Sequence, residues 1–172
     1  MGLIVRKRMI QHIPVLEVVP KENINEPLPL VIYYHGWQTK KELALTAGKK
    51  IAQKNIRVIL PDALYHGDRK VDNPSTIPSF RFWLTIQYKL SEFSLIKDFY
   101  IKRNLIKNQL LGVAGFSMGG MTTAGILAHY PEVTAAAILM GTPDYGHFVS
   151  RVASFLEKEA IYDAQLLKDL LS

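Results

Sequence analysis

The stretch that decides the fold is residues 112 to 121, GVAGFSMGGM, in which a serine lies between glycines. An apolar run, Leu110 to Phe116, precedes Ser117, and a helical pattern, Met118 to His129, follows it. A strand, a tight turn and a helix are therefore predicted in that order. The glycines permit close packing at the turn. Two interpretations follow: the turn serves packing alone, or it exposes the hydroxyl of Ser117 to a substrate.

The same alternation of strand and helix extends along the whole chain. Continuous apolar runs are typical of strands buried on both faces, and helical spacing separates them. This order predicts an α/β fold with a mostly parallel sheet and helices on both faces. Ligands of such sheets bind beyond the carboxyl ends of the strands. Strands are predicted at 3–10, 15–19, 30–34, 56–60, 110–116 and 134–140, helices at 41–54, 80–107, 118–129 and 148–171, and a loop at 62–79.

Composition narrows the function classes. The chain has 172 residues and no cysteine, which excludes a disulfide scaffold, a thiolate nucleophile and a cysteine zinc site. The net charge of +6 is spread in pairs such as Lys40-Lys41, which indicates exposed helix faces rather than a nucleic-acid surface. No run reaches the ~18 apolar residues of a membrane span, and the N-terminus lacks signal-peptide features. We expect a cytoplasmic protein without a membrane or nucleic-acid partner.

Nucleotide and metal chemistry find no support in the sequence. A dinucleotide fingerprint needs G-x-G-x-x-G and an acidic residue at the end of the next strand. Here the glycines are Gly112, Gly115 and Gly119, and the next strand ends at Met140-Gly141. No P-loop and no cluster of metal ligands is present. We therefore expect neither a cofactor nor a metal.

Two motifs together point to a known superfamily. Gly115 to Gly119 fits G-x-S-x-G in a strand–turn–helix context, and Tyr34-His35-Gly36-Trp37 follows an earlier buried strand. With these motifs the chain resembles the α/β-hydrolase superfamily, in its branch of dienelactone-hydrolase and prolyl-oligopeptidase-like serine esterases. The resemblance implies that Ser117 is the nucleophile and that the backbone N–H groups of Trp37 and Met118 form the oxyanion hole. It implies that His35 shapes the loop.

Two further groups of residues lie near this expected site. The segment 61–68, PDALYHGD, is similar to a D-x-x-x-H-G stretch of the family, and we interpret its Asp62 and His66 as structural. The helix predicted from residue 80 carries aromatic side chains that would line an apolar acyl site or pack in the core. These are Phe80, Phe82, Trp83 and Tyr88.

The pattern departs from the family after the serine. The resemblance implies an acid after the seventh strand and a histidine after the eighth, but one strand-like run and one helical stretch follow Ser117. His12 and His66 are too far from it by topology, and His129 lies about 18 Å further along the predicted helix at ~1.5 Å per residue. Asp144 and His147 remain as the candidate acid and base, and a turn that leads into the last helix is the alternative. We therefore expect a C-terminally incomplete α/β-hydrolase fold.

Two functions stay open on this evidence. The first is a serine esterase acting on small acyl esters, and the second is a catalytically inactive hydrolase fragment or binding module. We predict one domain over 1–172, with a core at 1–147 and a cap-like or C-terminal segment at 148–172. A sixth strand at a bare sheet edge would invite pairing with a second copy. We therefore also predict a homodimer through that edge.

Overall fold

A computed structural model describes residues 2–71 and 78–158, and the chain divides into two compact units, 1–141 and 142–172. Unit 1 contains a six-stranded sheet in the order β1-β2-β4-β3-β5-β6. The pairs β1–β2 and β2–β4 are antiparallel. The pairs β4–β3, β3–β5 and β5–β6 are parallel. The strands are β1 Leu3–Ile10, β2 Ile13–Pro20, β3 Leu28–Tyr34, β4 Arg57–Pro61, β5 Ile106–Phe116 and β6 Ala135–Leu139. The helices of unit 1 are α1 Leu45–Ala52, α2 Pro78–Ile101 and α3 Met118–His129, and α4 Tyr145–Lys158 belongs to unit 2.

Helices cover both faces of the sheet, as the sequence predicted. Alternate residues of a strand point to opposite faces, so Leu30 and Ile32 of β3 pack on one side and Tyr33 on the other. The first side packs against α2 and α3, through residues such as Phe93 and Ile126. The second side packs against α1. The core therefore forms two layers, one on each face.

The predicted start of β5 was wrong by four residues. The strand begins at Ile106, which pairs with Leu28, and the register then shifts before Leu30 pairs with Leu111. Asn108 and Gln109 have positive φ values of 49° and 57° in this irregular part. Polar residues in a bulge do not extend the apolar pattern, so the sequence placed them outside the strand.

A charged cluster is buried where β2 and β4 pair. Glu17 and Arg57 are both inaccessible and form an ion pair, and Arg6 and Arg8 of β1 also contact Glu17. The guanidinium of Arg57 donates to the carbonyl oxygens of residues 24 and 26 at 3.1 and 3.0 Å. These bonds offset much of the cost of burying the two charges, although Nε of Arg57 has no hydrogen-bond partner within the described residues.

Strand β6 lies at one edge of the sheet within the described residues. All five of its residues are exposed, and Leu139 is 46% accessible. The homodimer through this edge stays a prediction. Over 2–71 and 78–158, none of the helices combines the length and apolar character needed to span a membrane.

Helix α4 begins at Tyr145, three residues before the predicted start. Asp144 caps it, because its Oδ1 accepts a 2.8 Å hydrogen bond from the backbone N–H of His147. The part of the predicted helix 148–171 that follows Lys158 lies outside the described residues.

Candidate active site

Ser117 lies at the junction of β5 and α3 in a strained conformation. Its φ of 53° and ψ of −116° are unfavourable for a residue with a side chain. Its N–H donates to the carbonyl of Leu139 at 2.8 Å, and its own carbonyl accepts from the N–H of Met121 at 3.0 Å. The backbone on both sides of the serine is thus fixed, and the half-buried side chain stands at the tip of a sharp turn.

Two glycines of the motif allow this turn by close backbone contact. A methyl group at Gly115 would lie 2.2 Å from the carbonyl oxygen of Gly119. A methyl group at Gly119 would lie 2.1 Å from the carbonyl oxygen of Tyr34, at the end of β3. Both distances are far below van der Waals contact, so the turn requires glycine at both positions.

The loop after β3 reaches the same point. A methyl group at Gly36 would lie 3.6 Å from Cβ of Ser117, so this loop and the turn of Ser117 are in contact. The N–H of Trp37 has no hydrogen-bond acceptor within residues 2–71 and 78–158. Met118 is the first residue of α3, where N–H groups have no partner within the helix. Two backbone donors are thus available beside Ser117.

His35 joins the loops that follow β3 and β4. Its Nε2 accepts from the N–H of Ala63 at 3.1 Å, so its Nδ1 carries the proton and donates to the carbonyl of Gly36 at 2.8 Å. Burial, with the nearby Lys89 as a second cause, lowers the pKa of His35 to about 3. The ring is therefore neutral and is engaged by the backbone on both sides.

An open cavity of about 560 Å³ adjoins the indole of Trp37. The His66 ring contacts this indole edge-on at 4.9 Å, and Phe82 does so at 5.4 Å. Phe80 and Tyr88, expected either to line an acyl site or to pack in the core, are 47% and 44% exposed and do not pack in the core. Three cationic side chains line the cavity beside Tyr65 and His66: Lys40, Lys70 and Arg81.

Asp62 fixes the loop after β4. Its carboxylate accepts from the N–H and Nζ of Lys41 and from the N–H of Asp68 at 2.9 Å. Lys41 was expected on an exposed face, but its side chain is only 1% accessible. Burial alone would lower the pKa of Lys41, but hydrogen bonds to Asp62 and Asp68 outweigh that effect and raise it. Charge pairing, which the sequence pattern did not reveal, explains the burial.

Lys89 of α2 is a second buried cation that contacts these loops. It is 1% accessible, and its Nζ lies 3.5 Å from the carbonyl oxygen of His35 and 5.6 Å from the ring centre of Tyr34. Burial lowers its pKa to about 7, although Glu92 acts in the opposite direction. One long hydrogen bond leaves most of the donor capacity of an ammonium group unused.

Glu92, one turn further along α2, holds the loop after β4. Its carboxylate accepts two hydrogen bonds from the guanidinium of Arg69, at 2.7 and 3.0 Å. Nε2 of His12 lies 3.1 Å from the same carboxylate. Neither Lys89 nor Glu92 was predicted from the sequence as a residue of the site. Both residues could have been recognised by their helical spacing, because they lie on the buried stripe of α2. That stripe consists of positions 85, 86, 89, 92, 93, 96 and 100.

The histidines of unit 1 make contacts elsewhere. Besides His35, His66 bonds the carbonyl of Leu64 at 2.7 Å, and His129 bonds that of Gly125 at 2.7 Å. Over residues 2–71 and 78–141, no histidine ring is hydrogen-bonded to Ser117. In unit 2, the carboxylate of Asp144 is used as a helix cap, and its role as acid stays a prediction, as does that of His147 as base.

Comparison with known proteins decides the family. Residues 29–168 match the family described as the alpha/beta hydrolase fold. The chain belongs to this family. The hydrolase fold accounts for the strained serine, because the family places such a turn between a central strand and its helix.

Two relatives carry esterase names. The chain is 32% identical over 157 residues to YitV of Bacillus subtilis, provisionally named an esterase, and 33% identical over 150 residues to the esterase YjfP of Escherichia coli. These alignments cover 91% and 87% of the chain but only 62% and 59% of the relatives. A solved structure from Klebsiella pneumoniae, provisionally named a dienelactone hydrolase, shares the fold at a TM-score of 0.66 and 23% identity, covering 83% of this chain and 61% of that one.

Proposed function

We propose that this chain carries the nucleophile and the oxyanion hole of a serine esterase that cleaves small acyl esters. The strained turn at Ser117 is the observation that carries the proposal. A non-glycine residue at φ 53° and ψ −116° costs on the order of 1–3 kcal/mol, a cost that functional sites commonly retain. The esterase names of two relatives support the same activity. The cytoplasmic location expected from the sequence is part of this proposal.

In this mechanism the oxygen of Ser117 attacks the ester carbonyl carbon, and an imidazole takes the hydroxyl proton. The carbonyl oxygen becomes an oxyanion, which accepts hydrogen bonds from the N–H groups of Trp37 and Met118. Collapse breaks the bond to the alcohol, which leaves with the proton from the imidazole. Water then attacks the acyl carbon while the imidazole takes a proton from the water. The bond to the serine oxygen breaks, Ser117 takes up that proton, and the free acid leaves.

The second candidate is a binding module without catalysis. The observation that favours it is the engagement of the histidine rings of unit 1 by other groups, such as Gly36 and Ala63 around His35. None of these rings is hydrogen-bonded to Ser117, so no histidine in residues 2–71 and 78–141 is placed to act as its base. The remaining histidine of the chain is His147, so the imidazole of the mechanism must come from His147 or from a residue that is not part of this 172-residue sequence.

A fluorophosphonate probe separates these two functions. Intact mass of the full-length protein is measured before and after labelling, and the adduct is mapped. The proposal expects one adduct on Ser117 and hydrolysis of p-nitrophenyl acetate, both lost in Ser117→Ala. A His147→Gln variant assigns the base, because it abolishes labelling only if His147 activates the serine. An unlabelled protein that hydrolyses the ester no faster than Ser117→Ala does would support the binding module.

A further inference from the structure

The peptide between Gly36 and Trp37 is held from its carbonyl side. The carbonyl oxygen of Gly36 accepts one hydrogen bond from Nδ1 of His35 and a second from the hydroxyl of Thr39, both at 2.8 Å. The same Nδ1 lies 3.2 Å from the Thr39 hydroxyl oxygen, so the three groups form one small network. Two donors fill the two lone-pair directions of this carbonyl.

The direction of the carbonyl fixes the direction of the next N–H. No described peptide bond is cis, and in a trans peptide the C=O and the N–H point to opposite sides. The Gly36 carbonyl points into His35 and Thr39, so the N–H of Trp37 points away from them. That N–H has no acceptor within residues 2–71 and 78–158.

Hydrogen bonds to a carbonyl also polarise its own peptide group. Bonds in a chain strengthen one another, so two donors on the Gly36 oxygen make the N–H of Trp37 a better donor. His35 can supply only one of them, because its Nε2 accepts from Ala63. Thr39, three residues after Gly36, supplies the other.

We propose that Thr39 is a positioning residue that aims and strengthens the Trp37 N–H toward the oxyanion. This inference rests on the proposed esterase function, in which Trp37 is one of the two oxyanion donors. Thr39 does not touch the substrate carbonyl in this arrangement. It acts through the Gly36 carbonyl, and its contribution grows as negative charge develops on the substrate oxygen.

The matched pair Thr39→Val and Thr39→Ser tests the proposal. Valine keeps the shape and removes the hydroxyl, and serine keeps the hydroxyl. We expect Thr39→Val to lower kcat for p-nitrophenyl acetate about tenfold, less than the loss of a whole oxyanion donor. KM should stay within about twofold, because the bond matters in the transition state. Thr39→Ser should retain most of the kcat.

Two further readouts distinguish positioning from simple structural support. Affinity for a trifluoromethyl ketone, whose serine adduct carries an oxyanion, should fall by the same factor as kcat/KM in Thr39→Val. The thermal midpoint should be equal in the two variants. A loss of kcat shared by Thr39→Ser, or a kcat loss without a loss of ketone affinity, would overturn the proposal.

An NMR measurement keeps the test independent of the activity. The amide cross-peak of Trp37 should move in Thr39→Val and keep its wild-type position in Thr39→Ser. If the wild-type protein is neither labelled nor active, the esterase function fails while this spectrum still reports on Thr39. A Trp37 cross-peak that is the same in all three proteins would refute the coupling through the Gly36 carbonyl.

Discussion

Replacing Lys89 by methionine should stabilise the protein, and most strongly at low pH. The side chain is 1% accessible, and burial lowers its pKa from 10.5 to about 7. Methionine has a similar length and carries no charge to bury. The change therefore removes the cost of holding an ammonium group in the core.

The magnitude follows from the pKa difference between the folded and unfolded states. Each pKa unit corresponds to roughly 1.4 kcal/mol, so 3.5 units give about 5 kcal/mol as an upper value. The folded state binds the proton of Lys89 more weakly than the unfolded state does. The cost is therefore fully present below pH 7 and is relieved as the pH rises toward 10.5. Between pH 6 and pH 9 it should shrink by about 2–3 kcal/mol.

Urea denaturation at pH 6, 7.5 and 9 measures this effect. Wild type, Lys89→Met and Lys102→Met are compared, and the last is a control because Lys102 is exposed at the end of α2. The stability gap between wild type and Lys89→Met should narrow with rising pH, and the Lys102→Met gap should stay flat. A Lys89→Met gap that does not change with pH would refute the reasoning, because it would mean that Lys89 stays charged in the core over this range, as it does in the unfolded chain.

Three other predictions concern the site and its support. Acidification from pH 6.5 toward 3 should destabilise the fold, by about 2–3 kcal/mol at pH 4.5. The reason is that burial keeps His35 neutral in the folded state, whereas His35 of the unfolded chain takes up a proton. The unfolding free energy of His35→Gln, measured by denaturation, should depend less on pH. Asp62→Asn should lower stability by roughly 3 kcal/mol, because it removes a charge partner of the buried Lys41, and melting should show almost no change for the exposed control Asp98→Asn. Ser117→Gly should be more stable than Ser117→Ala by about 1–2 kcal/mol, because only glycine relieves the positive φ; equal melting temperatures would argue against strain.

The central strands and the turn at Ser117 could be predicted because their sequence signals are local. Residues 30–34 form a continuous apolar run, and Gly115 and Gly119 flank the serine at positions where backbone contact allows no side chain. The start of β5 could not be predicted in the same way. Its pairing from Ile106 depends on Leu28, a residue far away in sequence, and on a bulge that interrupts the apolar pattern.

Buried charges were the other part that the sequence did not reveal. A lysine or arginine is expected on the surface, yet Lys41 and Arg57 are inaccessible because Asp62 and Glu17 reach them from other strands and loops. These partners are 21 and 40 residues apart along the chain. A pattern read over a short window does not contain that information.

Two adjacent turns of helix α2 contact two different loops. Lys89 contacts the loop after β3 through His35, and Glu92 contacts the loop after β4 through Arg69. An α-helix turns by about 100° per residue, so one residue inserted between these two positions would rotate one anchor away from its loop. An insertion or deletion between Lys89 and Glu92 would therefore separate one of the two loops from α2. An engineer who wishes to reshape the cavity must therefore keep the number of residues between Lys89 and Glu92.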